Sequence, residues 1–328
     1  MKNWRNRAIV FFLGLSLSLF SSLLPGAPFA AEKDFPKKEI TIICSFAAGG
    51  SRDILARGVG KFMSKHLGVS MVVSNLPGAG GMRGIITLYH SEPDGYTIGI
   101  GAATEIIEEI LEKQDFDSKK FNYIGRAQSS PHFFYVKTES PFRSFKDFKT
   151  HGKPVRFASF SPTSVDTVPA IIMAKRDGFP LAVIGGYQGG ASALLGLLRG
   201  EVEFTGVPLS PSLSYVKSGQ IRAIATFGSK RSPEFPDVPT IGELGHKDLE
   251  ILTLDYWFMA PPQVPKARLQ ILEDTLMKTI NDPEFQTWAK GAGVDPSPLG
   301  SEETTKVVFS LFGTLEPFKA DLEKYRKK

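Results

Sequence analysis

Two glycine-rich loops contain the residues of this sequence best suited to bind a small anion. The first loop, FAAGGSRD, covers residues 46–53, and the second, SNLPGAGG, covers residues 74–81. Each follows a short apolar run and precedes a stretch with helical periodicity, which predicts a strand end followed by a helix start. Backbone N–H groups are unpaired at such a position, and glycine lets an anion approach them closely. We predict that both loops hold one anionic group at adjacent strand ends of a parallel sheet.

Side chains that could carry out catalysis or bind a metal do not occur at the spacings those functions need. No paired metal-ligand spacing is found among the five histidines, His66, His90, His132, His151 and His246. The first loop has Gly49, Ser51 and Asp53, so it lacks the last glycine of the Gly-x-Ser-x-Gly nucleophile motif. These patterns predict a binding protein with no cofactor and no metal, rather than an enzyme.

Nucleotide binding is the main alternative to anion capture. Gly78, Gly80 and Gly84 follow a predicted strand with a spacing close to the dinucleotide fingerprint, and Glu105 lies near the end of the next strand. Two observations count against this alternative. Nicotinamide cofactors are cytoplasmic, whereas the N-terminus of this chain predicts export. The first loop would also give a dinucleotide fold a second anion site that it does not need.

The N-terminus predicts export. Lys2, Arg5 and Arg7 precede an apolar run over residues 8–24, and small residues follow up to Ala31. We predict a cleaved signal peptide over residues 1–30. A membrane anchor is the alternative, but the run of about 17 residues is at the short limit for a membrane span. No cysteine stands there to accept a lipid, so we expect a soluble periplasmic protein and not a lipoprotein.

The charge of the mature chain argues against a nucleic-acid partner. Removing residues 1–30 removes three basic residues and no acidic one, so the formal net charge falls from +5 to +2. The remaining Lys and Arg are dispersed among nearly as many acids, whereas a nucleic-acid binder needs a concentrated basic face. The single cysteine, Cys44, lies in an apolar run and is predicted to be buried.

Short apolar runs alternate with helical patterns, which predicts an α/β fold. The predicted strands are Ile40–Ser45, Met71–Val73, Thr97–Gly101, Val155–Ala158, Leu181–Ile184, Val202–Val207 and Ile221–Thr226. After the first loop, one helical face carries Leu55, Val59, Phe62, Met63 and Leu67. Asp53 is predicted as the N-cap of that helix.

A second α/β unit occupies roughly residues 124–226, with its own loop over residues 159–166 and a glycine turn over residues 187–190. Beyond it we predict a strand at Tyr256–Ala260 and a helix from Pro265. Two further helices follow, one with Asp282 as its N-cap and Pro283 in its first turn, and one starting at Ser301.

The order of these motifs resembles a known family. FAAGGSRD, NLPGAGG and PDGYTIGIG follow one another between residues 46 and 101, and YQGGA, GEVE, IRAIA and PDVPT follow between residues 187 and 240. This succession is similar to the Bug-type substrate-binding proteins of tripartite tricarboxylate transporters, and the similarity covers essentially the whole mature chain.

The resemblance implies a type II periplasmic-binding-protein fold, with two α/β domains around a ligand cleft. Domain 1 would comprise residues 31–123 and 227–328, and domain 2 residues 124–226. The implied ligand-binding residues of domain 1 are Phe46, Ala47, Ala48, Gly49, Gly50, Ser51, Arg52, Asp53, Asn75, Gly78, Ala79, Gly80, Gly81, Ala102, Ala103 and Thr104. Those of domain 2 are Ser159, Thr163, Ser164, Tyr187, Gln188 and Gly189.

The implied function is capture of a small organic carboxylate by a monomer, which delivers it to a membrane permease of two other subunits. The alternatives are a binding protein that signals to a membrane receptor and an exported α/β enzyme. Departures from the family pattern, namely Arg52, Ala102, Ala103, Phe160 and Pro162, favour an anion with an apolar or aromatic body. Arg52 could instead point to solvent or pair with an acid, and Asp53 could serve only as a cap.

Overall fold

Strands and helices alternate through the part of the chain that the computed structural model describes, residues 35–187 and 189–326. The strands are β1 (Ile40–Cys44), β2 (Met71–Asn75), β3 (Thr97–Gly101), β4 (Asn122–Ser130), β5 (His132–Lys137), β6 (Val155–Ala158), β7 (Leu181–Ile184), β8 (Phe204–Pro208), β9 (Ile221–Thr226), β10 (Leu254–Ala260) and β11 (Pro296–Leu299). The α-helices are α1 (Ser51–Leu67), α2 (Met82–Tyr89), α3 (Ala103–Leu111), α4 (Phe145–Lys149), α5 (Thr167–Asp177), α6 (Gly190–Arg199), α7 (Leu209–Lys217), α8 (Lys266–Ile280), α9 (Pro283–Ala292), α10 (Ser301–Leu315) and α11 (Lys319–Arg326). This alternation confirms the predicted α/β class. The predicted signal peptide lies outside the described residues.

The strands form two mixed sheets. The first sheet has the order β11-β4-β10-β3-β1-β2, with β1 parallel to both β2 and β3 and with β10 antiparallel to β3 and β4. The second sheet has the order β7-β6-β8-β5-β9, with β6 parallel to β7 and β8 and with β5 antiparallel to β8 and β9. In each sheet the carboxyl ends of the parallel strands therefore meet at one edge, where the predicted ligand loops begin.

The chain passes between the sheets twice. Pro131 joins β4 of the first sheet to β5 of the second, and residues 227–253 lead from β9 back to β10. The first passage comes after the boundary predicted at residue 123, because β4 pairs with β10 up to Ser130. The second passage begins directly after Thr226. The division into two closing domains stays a prediction.

Helix α1 packs on the first sheet through the apolar face expected from its sequence. Leu55, Val59, Phe62 and Met63 are buried, and they join a core that includes residues of α8 and β10. Burial of each large side chain contributes about 1.5–3 kcal/mol, so this face fixes the start of α1 against the end of β1. The helix ends at Leu67, and the next residue, Gly68, closes the last turn with a φ of 72° and an N–H bond to the Ser64 carbonyl.

An aromatic core supports the second sheet. Phe134, Phe157 and Phe204 are buried and pack at ring-centroid distances of 4.8–6.0 Å. The same cluster continues into the first sheet through buried residues of α3 and β10, and α11 packs against both α3 and α5. The loops at the strand ends therefore stand on continuous, densely packed supports.

Candidate functional site

Three loops meet at the carboxyl edge of the first sheet. Cys44, the last residue of β1, is in parallel register with Asn75 of β2 and Ile100 of β3. The loops that follow these strands therefore start side by side. As predicted, the two glycine-rich loops occupy adjacent strand ends.

The first loop leads into a helix start without a side-chain cap. Helix α1 begins at Ser51, its N-cap is Gly50, and no side chain caps it. Within the described part of the chain, no acceptor contacts the N–H groups of Ser51 and Arg52. These unpaired donors and the helix dipole favour a negative charge at this point.

The prediction that Asp53 is the N-cap of α1 is wrong. Two glycines let the helix start earlier, with extended backbone at Gly50, so Asp53 falls within the first turn. Its buried carboxylate accepts three hydrogen bonds of 2.9 Å, from Gly49 N, Arg57 Nε and Asn75 Nδ2. Burial would raise the pKa of Asp53, but these bonds outweigh it and lower the pKa below its usual value. Asp53 ties the first loop to β2 and to α1.

Arg52 is paired with an acid. The sequence had left three alternatives for this side chain: contact with the ligand, exposure to solvent, or pairing with an acid. The residue is only 5% exposed; its Nη1 donates to Glu105 and, over 2.8 Å, to Ser45 Oγ. Burial acts to lower the pKa of Arg52, but Glu105 and the other partners raise it overall. Its Cζ lies 4.5 Å from the Phe46 ring centroid and 5.4 Å from that of Tyr256.

The second loop turns through a run of left-handed backbone. The φ angles of Gly78, Ala79, Gly80 and Gly81 are 135°, 48°, 65° and 99°. A Cβ on Gly81 would lie 2.9 Å from the Phe46 ring, so glycine lets the two loops pack together there. A Cβ on Gly80 would instead meet no atom within 4 Å.

The third loop already has an anion at its helix start. Glu105, in the first turn of α3, accepts a 2.9 Å hydrogen bond from Ala102 N through Oε2 while Oε1 accepts from Arg52. Ala102 and Ala103 are buried, and Thr104 is half-buried. Ligand contacts by these three residues stay a prediction, and the Ala102 amide is engaged by Glu105.

In the second sheet, the predicted residues follow β6 and β7. Ser159 and Thr163 are buried and Ser164 is half-buried, and the hydroxyls of the loop bond one another: Ser159 Oγ lies 2.8 Å from Thr167 Oγ1, and Ser164 Oγ donates to Thr167 Oγ1 over 2.9 Å. Gly189 is the N-cap of α6. The half-buried Tyr187 donates to Glu201 over 3.2 Å, and Gln188 lies outside the described residues.

Asp166, at the end of the same loop, is a feature that the sequence reasoning did not single out. It is buried at the start of α5, and its Oδ2 contacts no hydrogen-bond partner among the described residues. Burial raises the pKa of Asp166 to about 7. The sequence offered only a weak signal, an acid directly before an apolar helix, which usually indicates an exposed cap.

The described residues contain neither a candidate metal site nor a candidate membrane span. Within residues 35–187 and 189–326, no group of three or more His, Cys, Asp or Glu side chains could hold a metal ion. In the same residues, none of the helices combines the length and the apolar character that crossing a membrane requires.

Solved structures identify the class of the fold. A TctC solute-binding protein from Polaromonas superposes with a TM-score of 0.76 at 21% identity, covering 89% of this chain and 99% of the other. The periplasmic binding protein BugD superposes with a TM-score of 0.69 at 27% identity, covering 88% and 98%. MatC from Rhodopseudomonas palustris, solved with malate, gives 0.67 at 21% identity, covering 88% and 100%. The fold is that of periplasmic solute-binding proteins.

The family follows from the sequence. Residues 55–311 match the family described as tripartite tricarboxylate transporter family receptor, TctC. A UPF0065 protein of Cupriavidus necator is 28% identical over 327 residues, covering 98% of both chains. BugT of Bordetella pertussis is 29% identical over 252 residues, covering 72% of this chain and 74% of its own. This chain belongs to the TctC family of periplasmic solute-binding proteins, as its motifs indicated.

Proposed function

We propose that this protein captures a small organic carboxylate in a cleft between its two sheets and delivers it to a two-subunit membrane permease. The observation that supports this best is the uncapped start of α1, whose N–H groups are free, in a loop that packs against the left-handed turn of the second loop where Phe46 meets Gly81. Export through the predicted signal peptide would bring the protein to the compartment where such a permease collects its ligand.

The proposed binding residues are those predicted from the two sheets. The first wall offers the backbone donors of residues 46–52 and 78–81, apart from Gly49 N, which donates to Asp53, and Gly81 N, which donates to the Gly78 carbonyl. The second wall offers the loop after β6 and the turn after β7. Closure of the two domains about the passages at Pro131 and after Thr226 would bring these walls together. The closed form is favoured by contacts that only the bound ligand can make with both walls at once.

The body of the ligand is proposed to be apolar or aromatic. Phe46 is 37% exposed at the start of the first loop, and Ile184 is 36% exposed at the end of β7. Phe160 and Pro162 are half-buried in the loop after β6. Single exposed apolar residues are common, but these four all lie at or after the carboxyl ends of strands, where a ligand would lie. Related proteins have been solved with malate and with adipate, which supports the carboxylate part of the proposal.

A thermal-shift screen tests the function. The secreted protein is heated with malate, adipate, citrate, benzoate and amino acids, each at millimolar concentration. An acid present at about 100 times its Kd should add roughly 2.7 kcal/mol to the free energy of unfolding and raise the midpoint temperature of unfolding by several degrees. We expect shifts with carboxylates, larger for benzoate or adipate than for citrate. A screen in which no carboxylate raises the midpoint would contradict the proposal.

Gly80→Val tests the second loop as part of the anion site. The valine side chain would project into the open space beside the loop, where the carboxylate is proposed to lie, and binding should weaken roughly 10-fold or more. Gly152→Val is a matched control, because Gly152 also has a left-handed φ, of 72°, and open space around its Cβ.

Both variants carry similar backbone strain, about 1–2 kcal/mol, so both should lose similar stability. Only Gly80→Val should lose affinity when titrated with the acid that gives the largest thermal shift. Equal affinities of the two variants for that acid would remove the second loop from the proposed site.

A further inference from the structure

We infer that Arg52 is the charged anchor for the ligand carboxylate and that Glu105 is a positioning residue that holds it. The inference rests on the proposed function and deepens it, since it names the side chains that recognise the anion. Its starting point is the burial of both side chains, which are 6% and 4% exposed, at the edge where the three loops meet.

The guanidinium of Arg52 is fixed in one orientation. At one end, Nη1 donates both to Ser45 Oγ and to Glu105. Glu105 is itself fixed, because its other oxygen accepts from Ala102 N. The rings of Phe46 and Tyr256 pack within 5.4 Å of the guanidinium carbon, and the Tyr256 hydroxyl lies 2.9 Å from Ser51 Oγ. A side chain held in this way loses little further conformational entropy when it binds a ligand.

The other edge of the same guanidinium is open. Among the described residues, Nε and Nη2 contact no acceptor, and neither atom is among the fully buried polar atoms that lack a partner. This edge therefore reaches solvent through the small exposed part of the residue. Nε and Nη2 form one of the forks with which arginine binds a carboxylate through two parallel hydrogen bonds.

The Arg52–Glu105 pair can still attract an anion at the open edge of Arg52. Glu105 balances Arg52 in the absence of ligand, so the buried cation is compensated. A ligand carboxylate at the open edge would lie closer to the guanidinium than to Glu105, and attraction would exceed repulsion because Coulomb energy falls with distance. The anchor would select a planar carboxylate over its neutral amide, and the exposed ring of Phe46 would lie beside the body of the acid.

A double variant, Arg52→Met with Glu105→Gln, tests the anchor without leaving a buried charge unpaired. Glutamine keeps an oxygen for the Ala102 N–H, so the variant should unfold at nearly the same temperature as the wild type. Titrations use adipate and benzoate with the matching amides, adipamide and benzamide. The wild type should prefer the acid, and the double variant should lose about 30-fold in acid affinity while its weak affinity for the amide is unchanged.

The single variant Glu105→Gln separates anchoring from a purely structural role. It removes the compensating charge and leaves Arg52 in place, so acid binding should become tighter at low salt and more dependent on salt. It also supplies the test if the double variant does not fold. Acid affinity and salt dependence that match the wild type in the variants that fold would overturn the inference. A wild-type protein that binds neither adipate nor benzoate would overturn the proposed function itself.

Discussion

Replacing Arg52 with leucine should lower the free energy of unfolding by about 3–5 kcal/mol, the largest loss expected from a single substitution at the site. Glu105 is 3% exposed, and Arg52 is the cation that contacts its carboxylate. Without that cation, a buried carboxylate must either remain charged and unpaired or take up a proton. Urea unfolding at neutral pH, followed by circular dichroism, measures the loss.

Arg231→Leu is the matched control for this measurement. Arg231 is also paired with a glutamate, Glu243, at 2.9 Å, but both side chains are nearly half exposed. Exposed pairs contribute little because water screens them, so this variant should unfold at nearly the wild-type urea concentration. If both variants lose the same free energy of unfolding, the buried Arg52–Glu105 pair stabilises the protein no more than an exposed pair does.

Asp166→Asn should stabilise the protein at pH 8 and have little effect near pH 4. The pKa of Asp166 is raised from 3.8 to about 7, so the folded state holds a proton there that the unfolded state releases above pH 4. Stability from this residue is therefore lost as pH rises from about 4 to about 7, and the loss amounts to about 4 kcal/mol. Asparagine does not ionise, so the variant avoids this loss.

The measurement is the free energy of unfolding of wild type and variant at several pH values from about 2.5 to 8. Asp147→Asn provides a control of opposite sign, because hydrogen bonds led by that from Arg143 N lower the pKa of Asp147. That variant should be destabilised at neutral pH, and the difference should disappear as the pH falls below the usual aspartate range. An Asp166→Asn variant less stable than wild type at pH 8 would mean that the carboxylate has a favourable partner.

Most of the strands that are apolar runs bounded by turn residues could be predicted from the sequence. β3, β6, β7 and β9 have the predicted bounds. β4, β5 and β11 were not predicted. The patterns of β4 and β11 are not apolar, whereas β5 is an apolar, buried strand that was missed from the sequence. Arg126 in β4 finds its partner Asp255 in β10 and bonds Ser297 of β11, whereas β11 contains two prolines and lies at a sheet edge. Such polar strands depend on tertiary partners that local periodicity does not reveal.

In the candidate site, too, local features could be predicted, whereas partners that are distant in the sequence could not. The two glycine-rich loops could be located because strand, glycine and helix signals are local and consecutive. The partners of their charged residues could not. Glu105 lies 53 positions after Arg52, and Asn75 lies 22 positions after Asp53, so only the register of β1, β2 and β3 brings them together. The start of α1 was predicted wrongly for a local reason. Gly49 and Gly50 let the helix begin at Ser51, two residues before the predicted cap Asp53.

Isothermal titration of the protein with the most stabilising acid, followed by recovery of that acid, tests the central claim most directly. We predict one binding site per chain with a Kd in the micromolar range or tighter, and acid recovered unchanged after hours of incubation, as nuclear magnetic resonance would show. No binding of any organic acid, or steady conversion of the acid into a product, would contradict the account of this protein as a carboxylate-binding receptor.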